Sequence, residues 1–185
     1  MNSLANDIFE GSATTETART DVLLVGYGNP MRSDDAVGPL VASRVAALFP
    51  DASFCRLITD QQLLPEHTDE VAAVRRVLFI DASVNLPAGE VQISPITGEA
   101  CPEHHLTHHV APQTLLWMSQ QFFGRAPRAW LIEIGVADLS VGSRLSPAVA
   151  KAAAKLVRQL AYYLRLTRSS SPVQPTPDQK ECHHV

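Results

Sequence analysis

The sequence predicts a single α/β domain of three layers (αβα), in which helices cover both faces of a mostly parallel, twisted sheet. Short apolar runs of strand type alternate with stretches of helical periodicity over residues 21–166, and this alternation is typical of a parallel sheet. The chain has 185 residues, of which 45% are hydrophobic and 18% are charged. That composition suits one compact domain with a sizeable core.

Five segments have the composition of strands. The first is a short apolar run of the kind that is buried on both faces of a sheet. The fourth alternates apolar and polar residues, as an edge strand does. In order, the predicted strands are Val22–Val25, Ser53–Ile58, Arg76–Asp81, Gly89–Ser94 and Ala129–Ile134.

The helices are predicted from apolar residues that recur on one face and from residues typical of helix starts. Ser146 is the predicted N-cap of the last helix, and Pro147 is its predicted first residue, because proline is favoured at that position. The residues between Thr59 and Val74 are expected to form a loop and a short helix. The predicted long helices are Val37 to Leu48, Pro112 to Phe122 and Pro147 to about Leu166.

The two ends of the chain lack this periodicity. Residues 1–20 are predicted to be a flexible N-terminal arm, and residues 167–185, rich in Ser and Pro, a disordered tail. No secretion signal or membrane-spanning run is indicated, and a net charge of −4 gives no reason to expect nucleic acid or a membrane as partner. Three widely spaced cysteines suggest no disulfide framework. We therefore expect a cytoplasmic protein.

The loop after the first strand carries the strongest functional signal. Residues 26–38 read Gly-Tyr-Gly-Asn-Pro-Met-Arg-Ser-Asp-Asp-Ala-Val-Gly, with Gly26 and Gly28 placed to allow a sharp turn or a close approach. A dinucleotide-binding loop is disfavoured because its third glycine would fall at Met31. Asp34 and Asp35 lie where ligands bind in open α/β sheets, and two carboxylates there suit a metal cation better than a phosphate.

Two further segments bring metal-binding residue types to the same region. Asp81 ends the third predicted strand, and the run from Glu103 to His109 contains four histidines. Because the carboxyl ends of parallel strands lie along one edge of a sheet, Asp35 and Asp81 are expected to meet there. Two carboxylates and one histidine, with open positions left over, suit a divalent transition ion.

Each of these residues also has a simpler structural interpretation. Asp34 or Asp35 would stabilise a helix start as a cap, Asp81 would form a loop, and histidine-rich surface loops occur without a native metal. Known hydrolase motifs with a serine nucleophile or a zinc-binding helix are absent from the sequence. Cys55 lies within a predicted strand and is expected to be buried, and a nucleophilic role for Cys101 has no support beyond the nearby histidines.

Four motifs, taken together, resemble those of the [NiFe]-hydrogenase maturation proteases. The segment at residues 26–38 resembles the opening motif of that family, and Phe79-Ile80-Asp81-Ala82 resembles its second motif. Residues 107–112, leading into Leu115-Leu116, are similar to the third. The strand at residues 131–136, followed by Gly142 and Leu145-Ser146-Pro147, fits the closing pattern. The resemblance covers about residues 21–166.

This resemblance implies both an activity and a set of site residues. Members of the family are endopeptidases that remove a C-terminal peptide from the precursor of a [NiFe]-hydrogenase large subunit after nickel insertion, with the bound nickel as recognition signal. It implies that Asp35, Asp81 and His108 contact nickel presented by the precursor, with His109 as the neighbouring alternative. For the chemistry, either the metal activates water or polarises the carbonyl, or Asp34 or Asp35 acts as general base. The likeness also implies a monomer.

The chain departs from the family pattern at two positions. Many members have Glu where this chain has Asp35, and Gly where it has Ala36. Aspartate is one methylene shorter, so the metal or the backbone must lie closer. The Asp-Asp form resembles the branch that serves soluble cytoplasmic, NAD-linked hydrogenases.

Three other functions use the same residues. The first is a non-cleaving, nickel-dependent chaperone for the hydrogenase large subunit, which the missing nucleophile favours. The second is a nucleotide-binding protein, against which the absent third glycine and the two aspartates count. The third is an aminopeptidase-like enzyme that keeps its own metal.

Overall fold

The computed structural model describes residues 20–99 and 110–170. Five strands and four α-helices lie within these ranges. The strands are β1 (Thr20–Tyr27), β2 (Cys55–Asp60), β3 (Val74–Ser83), β4 (Val91–Ile96) and β5 (Arg128–Gly135). The helices are α1 (Val37–Ala46), α2 (Thr68–Ala72), α3 (Pro112–Phe123) and α4 (Pro147–Ser170), and single 3₁₀ turns span Ser33–Ala36 and Pro65–His67.

The strands form one mostly parallel sheet in the order β2-β1-β3-β5-β4. Strands β2, β1, β3 and β5 are parallel, and β4 pairs antiparallel with β5 at the edge. The predicted α/β class and the predicted edge position of the fourth strand are therefore confirmed. The register aligns the carboxyl ends of the parallel strands, with Asp81 opposite Glu133 on β5 and Tyr27 opposite Asp60 on β2.

Two hydrophobic layers hold the helices on opposite faces of the sheet. On one face, α1 and α4 pack against the strands through residues such as Val41, Leu156 and Ile132. On the other face, α2 and α3 supply Val71 and Leu115 to a second cluster. This alternation of buried faces along the central strands explains why their sequences are continuously apolar.

The first turn of helix α1 packs closely against the sheet at Gly38, the second residue of the helix. Gly38 is buried, and a Cβ at this position would collide with the carbonyl oxygens of Tyr27 and Ile80 at the ends of β1 and β3. The close approach of this glycine brings the start of α1 against the carboxyl edge of the sheet. The predicted functional loop is thereby held at that edge.

The last helix begins at Pro147, as predicted, but differs from its prediction at its C-terminal end. It extends to Ser170 rather than Leu166, so the helix includes the first residues of the predicted tail. The Ser146 carbonyl accepts a hydrogen bond from Ala150 N (2.9 Å), but its Oγ has no partner among the described residues. Ser146 thus precedes the first helical residue, as predicted for an N-cap, but its side chain makes no capping hydrogen bond. Its backbone N–H donates to Asp34 Oδ1.

The remaining predicted regions at the chain ends, residues 1–19 and 171–185, lie outside the described residues. Within the described part of the chain, no helix combines the length and the apolar character needed to cross a membrane.

Candidate active site at the carboxyl edge of the sheet

Asp34 is completely buried and is surrounded by backbone donors. Its Oδ2 accepts hydrogen bonds from Ala137 N and Asp138 N, both at 3.0 Å, and its Oδ1 accepts one from Ser146 N at 2.6 Å. All three donors lie between β5 and α4, more than 100 positions after Asp34 in the chain. We call this arrangement the Asp34 clamp.

Backbone hydrogen bonds extend the Asp34 clamp into a continuous connection between two loops. Ser33 N donates to Gly142 O (2.9 Å), Gly142 N donates to Met31 O (2.9 Å), and Asp34 N donates to Asp138 O (3.0 Å). Ser33 has a positive φ of 42°, a conformation that is costly for a residue other than glycine. The surrounding hydrogen bonds hold it there, which fixes the path of the chain into Asp34 and Asp35.

The Asp34 carboxylate is held in its charged form. Burial favours the neutral acid, but hydrogen bonds from the N–H groups of Ser146, Ala137 and Asp138 outweigh it and hold the pKa below the ordinary value for aspartate. Its oxygens are thus occupied by structural hydrogen bonds. This geometry makes Asp34 a poor acceptor for a proton from water.

Asp35 lies one residue further on and is only partly buried. Its Oδ2 accepts a hydrogen bond from Asn29 N at 2.9 Å. Gly28, with φ of 138°, allows the chain to pass directly over the Asp35 carbonyl, where any Cβ would collide. The glycine and the Asn29 N–H together orient Asp35 towards the end of the sheet, as the sequence pattern suggested for a close backbone approach.

Asp81, two residues before the end of β3, lies within electrostatic reach of Asp35. The pKa of Asp81 is raised to about 6, chiefly by burial. Hydrogen bonds from Tyr27 and from Ala82 N (2.8 Å) lower it, and the negative charges of Asp35 and Glu133 make smaller upward contributions to the same value. The structure therefore brings the two predicted carboxylates together and gives them a shared excess of negative charge, an arrangement that a cation would stabilise.

Tyr27 and Glu133 also belong to this cluster but received no role from the sequence. Burial and the neighbouring carboxylates Asp81 and Glu133 raise the pKa of the Tyr27 phenol well above its usual range. Glu133 Oε1 accepts a hydrogen bond from Ser83 Oγ at 3.1 Å. A signal for Glu133 was available, since it is the one charged residue within the apolar run from Ala129 to Ile134.

The third predicted metal ligand, His108, lies outside the described residues, as do His109 and Cys101. Within residues 20–99 and 110–170, no three His, Cys, Asp or Glu side chains form a group that could hold a metal ion. The described residues thus supply two carboxylates, and Val110 marks where the histidine-containing segment rejoins them. An assignment of His108 as a ligand stays a prediction.

Cys55 is buried at the start of β2, as expected. Burial raises the pKa of its thiol to about 11, so the thiolate is scarce at neutral pH. This cysteine packs as a small apolar side chain.

A cavity of about 540 Å³ opens beside the carboxylates. Two of its lining residues are hydrogen-bonded to them, since Tyr27 bonds to Asp81 and Asn29 N donates to Asp35. The lining residues are Tyr27, Asn29, Asp60, Gln61, Gln62, Leu63, Leu64 and Val110. The cavity therefore adjoins the site on the side of the edge strand β2.

Solved structures with the same fold include several hydrogenase maturation enzymes. A [NiFe] hydrogenase maturation protease HycI from Thermococcus kodakarensis KOD1 superposes with a TM-score of 0.67 at 24% identity, covering 88% of this chain and 99% of that one. The maturating endopeptidase HybD from E. coli gives 0.59 at 21% identity, with coverages of 82% and 100%. A hydrogenase 2 maturation peptidase from Thaumarchaeota archaeon SCGC_AB-539-E09 gives 0.56 at 22% identity, with coverages of 80% and 99%.

No protein-family model matches the sequence, and no curated protein is significantly similar to it. The likeness to the solved structures establishes the fold. It agrees with the fold that the motif resemblance implied.

The Asp34 clamp predicts a large stability loss on a minimal substitution. In Asp34→Asn, one carboxylate oxygen is replaced by an amide NH₂ that cannot accept a hydrogen bond, and the remaining carbonyl oxygen is a weaker acceptor for the backbone N–H groups. We therefore expect the free energy of unfolding at pH 7 to fall by about 3 kcal/mol. Denaturant unfolding measures it. Because the folded-state pKa of Asp34 is depressed, the difference from wild type should shrink as the pH falls through that lowered pKa.

Asp51→Asn is the matched control for Asp34→Asn. Asp51 lies before β2 at the opposite edge of the sheet, and its side chain is 42% exposed, so its substitution should change stability far less. Equal losses in the two variants would contradict the structural role of Asp34.

The raised pKa of Asp81 predicts a gain in stability from a change at the site. The folded protein binds the Asp81 proton more tightly than the unfolded chain does, so stability declines as the pH rises from about 4 through about 6. Asp81→Asn should therefore raise the Tm at pH 8 by about 2–5 °C, with the gain vanishing near pH 4. Asp69→Asn, an exposed loss of one charge on α2, serves as control, and a lower Tm for Asp81→Asn at pH 8 would contradict the electrostatic account.

Proposed function

We propose that this chain is an endopeptidase of [NiFe]-hydrogenase maturation. In this proposal it removes a C-terminal peptide from the precursor of a hydrogenase large subunit after nickel insertion, with the bound nickel as recognition signal. It acts in the cytoplasm as a monomer. The observation that carries the proposal is that Asp35 and Asp81 lie within electrostatic reach of each other at the carboxyl edge of this particular fold.

Three findings support the proposal together. The sequence motifs at residues 26–38, 79–82, 107–112 and 131–147 occur in the order of the maturation proteases. Solved structures named as maturation proteases and endopeptidases share the fold over nearly their whole length. The residues that the motifs assign to one site, Asp35 and Asp81, lie close enough to raise the pKa of Asp81 through repulsion in addition to burial.

The described carboxylates have the chemistry that a nickel-bearing substrate requires. Oxygen and histidine nitrogen ligands suit divalent nickel, and the excess negative charge around Asp81 and Glu133 would be relieved by a cation. We assign Asp35, Asp81 and His108 as the groups that contact nickel on the precursor. A precursor without nickel would leave this repulsion uncompensated, so productive docking depends on the metal.

For the hydrolytic step, Asp35 is a better candidate for the general base than Asp34. The Asp34 oxygens are taken by three backbone N–H groups, whereas the hydrogen bond from Asn29 N occupies one oxygen of Asp35. Asp35 would take a proton from the attacking water while the water oxygen forms a bond to the peptide carbonyl carbon. The C–N bond then breaks, and the proton passes to the leaving amine. Nickel near the carbonyl would polarise it.

Substitutions should separate loss of activity from loss of folding. Asp35→Asn, Asp81→Asn and His108→Ala should each slow processing of the nickel-loaded precursor by at least about 100-fold, while circular dichroism remains that of the wild type. Asp51→Asn at the opposite edge and His109→Ala beside the assigned ligand are the matched controls. Wild-type rates for Asp35→Asn and Asp81→Asn would refute the site, and loss in His109→Ala alone would move the ligand by one position.

A direct assay tests the proposed activity itself. The chain is incubated with nickel-loaded and with nickel-free large-subunit precursor, and both products are weighed by mass spectrometry. We expect loss of a C-terminal peptide from the nickel-loaded form only. Tight binding of the loaded form without cleavage would instead favour the nickel-dependent chaperone, and cleavage of both forms would contradict the metal checkpoint.

A further inference from the structure

We propose that the cavity beside Asp35 and Asp81 binds the extended peptide segment next to the bond that is cut, and that it selects against acidic side chains in that segment. This inference rests on the proposed function and adds a specificity-determining surface to it. The residues that carry the selectivity are Asp60, Gln61 and Gln62.

The position of the cavity makes it continuous with the reacting groups. Tyr27 lines the cavity and hydrogen-bonds to Asp81, and Asn29 lines it and donates its N–H to Asp35 Oδ2. A substrate chain whose scissile bond lies at the two carboxylates must extend away from them in both directions. The cavity can accommodate the substrate segment on one side of the scissile bond, towards the edge strand β2.

The lining has the chemistry of a peptide-binding groove. Leu63, Leu64 and Val110 offer apolar surface. Gln61 and Gln62 each carry an amide that can both donate and accept hydrogen bonds, which is what an extended main chain requires. The volume of about 540 Å³ falls within the range of roughly 300–1,000 Å³ that is usual for ligand sites.

The walls of the cavity are fixed by hydrogen bonds that involve its own lining residues. Gly28 N donates to Asp60 O at 3.1 Å, which ties the end of β2 to the loop that carries Asp35. Leu64 N donates to His67 Nδ1 at 3.2 Å. The groove is therefore formed before any peptide arrives, which reduces the entropy that binding must offset.

The described lining residues of the cavity carry charge of one sign. Within residues 20–99 and 110–170, Asp60 is the only ionisable acid or base that lines the cavity apart from Tyr27, and no Lys or Arg of these ranges lines it. Its Oδ1 accepts a hydrogen bond from Gln61 N at 2.6 Å, and His67 Nε2 lies 3.7 Å from its Oδ2. With Asp35, Asp81 and Glu133 next to the cavity, a glutamate or aspartate of the substrate would be repelled there.

A charge-reversal series tests the inference. Glutamate is introduced, one position at a time, at residues on either side of the cut bond that do not hold nickel, and nickel loading of each precursor is verified by metal analysis. Wild-type chain should process one or two of these variants about tenfold more slowly than the unsubstituted precursor. Asp60→Asn and Gln61→Arg should recover most of that loss, because they remove or offset the repelling charge.

Gln121→Arg provides the matched control for Gln61→Arg. Both glutamines are exposed, but Gln121 lies near the end of α3 and does not line the cavity, so its variant should show the wild-type penalties. The inference is overturned if wild type processes every glutamate variant at the same rate, or if the penalties are unchanged in Asp60→Asn and Gln61→Arg.

The same series distinguishes this inference from the proposed function. If the wild type binds the loaded precursor without cutting it, the proposed protease activity fails, and the Kd values of the glutamate variants then test the cavity in place of the processing rates. Weaker binding of some glutamate variants that is abolished in Asp60→Asn but retained in Gln121→Arg would support the peptide groove. Neither cutting nor binding of the precursor would overturn both.

Discussion

Three backbone N–H groups from the segment between β5 and α4 converge on the buried carboxylate of Asp34, and the geometry of the site depends on this interaction. A buried charge is tolerated only where hydrogen bonds replace its hydration. The loop that contains Asp34 must therefore keep its position relative to the segment between β5 and α4. Ser33 is held at a positive φ by the same connection. The position of Asp35, the next residue along, is therefore fixed by the hydrogen bonds of Asp34.

Several negative charges lie near one another at the carboxyl edge of the sheet, and their repulsion destabilises the free protein. Asp35 and Glu133 each lie within electrostatic reach of Asp81, and the partly buried Tyr27 is hydrogen-bonded to Asp81. Such clusters cost stability and are typical of sites that bind a cation or transfer protons. In the proposed function the compensating charge arrives with the substrate. The same repulsion that weakens the free protein would make recognition depend on the metal.

The sequence was sufficient to predict the sheet and the proximity of Asp35 and Asp81. Apolar runs marked the central strands, and the rule that parallel strands end at one edge predicted that Asp35 and Asp81 would meet although 46 positions separate them. It could not assign different tasks to Asp34 and Asp35, because the donors to Asp34 are backbone groups from a loop over 100 positions away, and backbone N–H groups leave no trace in residue types. The contribution of Tyr27 depends on its contact with Asp81, which local patterns do not encode.

In the proposed function, Asp35 and Asp81 reach nickel that is carried by another protein. X-ray absorption at the nickel edge tests this contact. Spectra are recorded on the nickel-loaded precursor alone, and after addition of wild-type chain, Asp35→Asn or Asp81→Asn. Gel filtration verifies that each complex has formed, and low temperature prevents cleavage while the spectra are recorded. We expect wild type to add oxygen scattering at a coordination distance of about 2.0–2.2 Å and each variant to add less. A stable complex whose nickel environment is unchanged by wild type would contradict this contact.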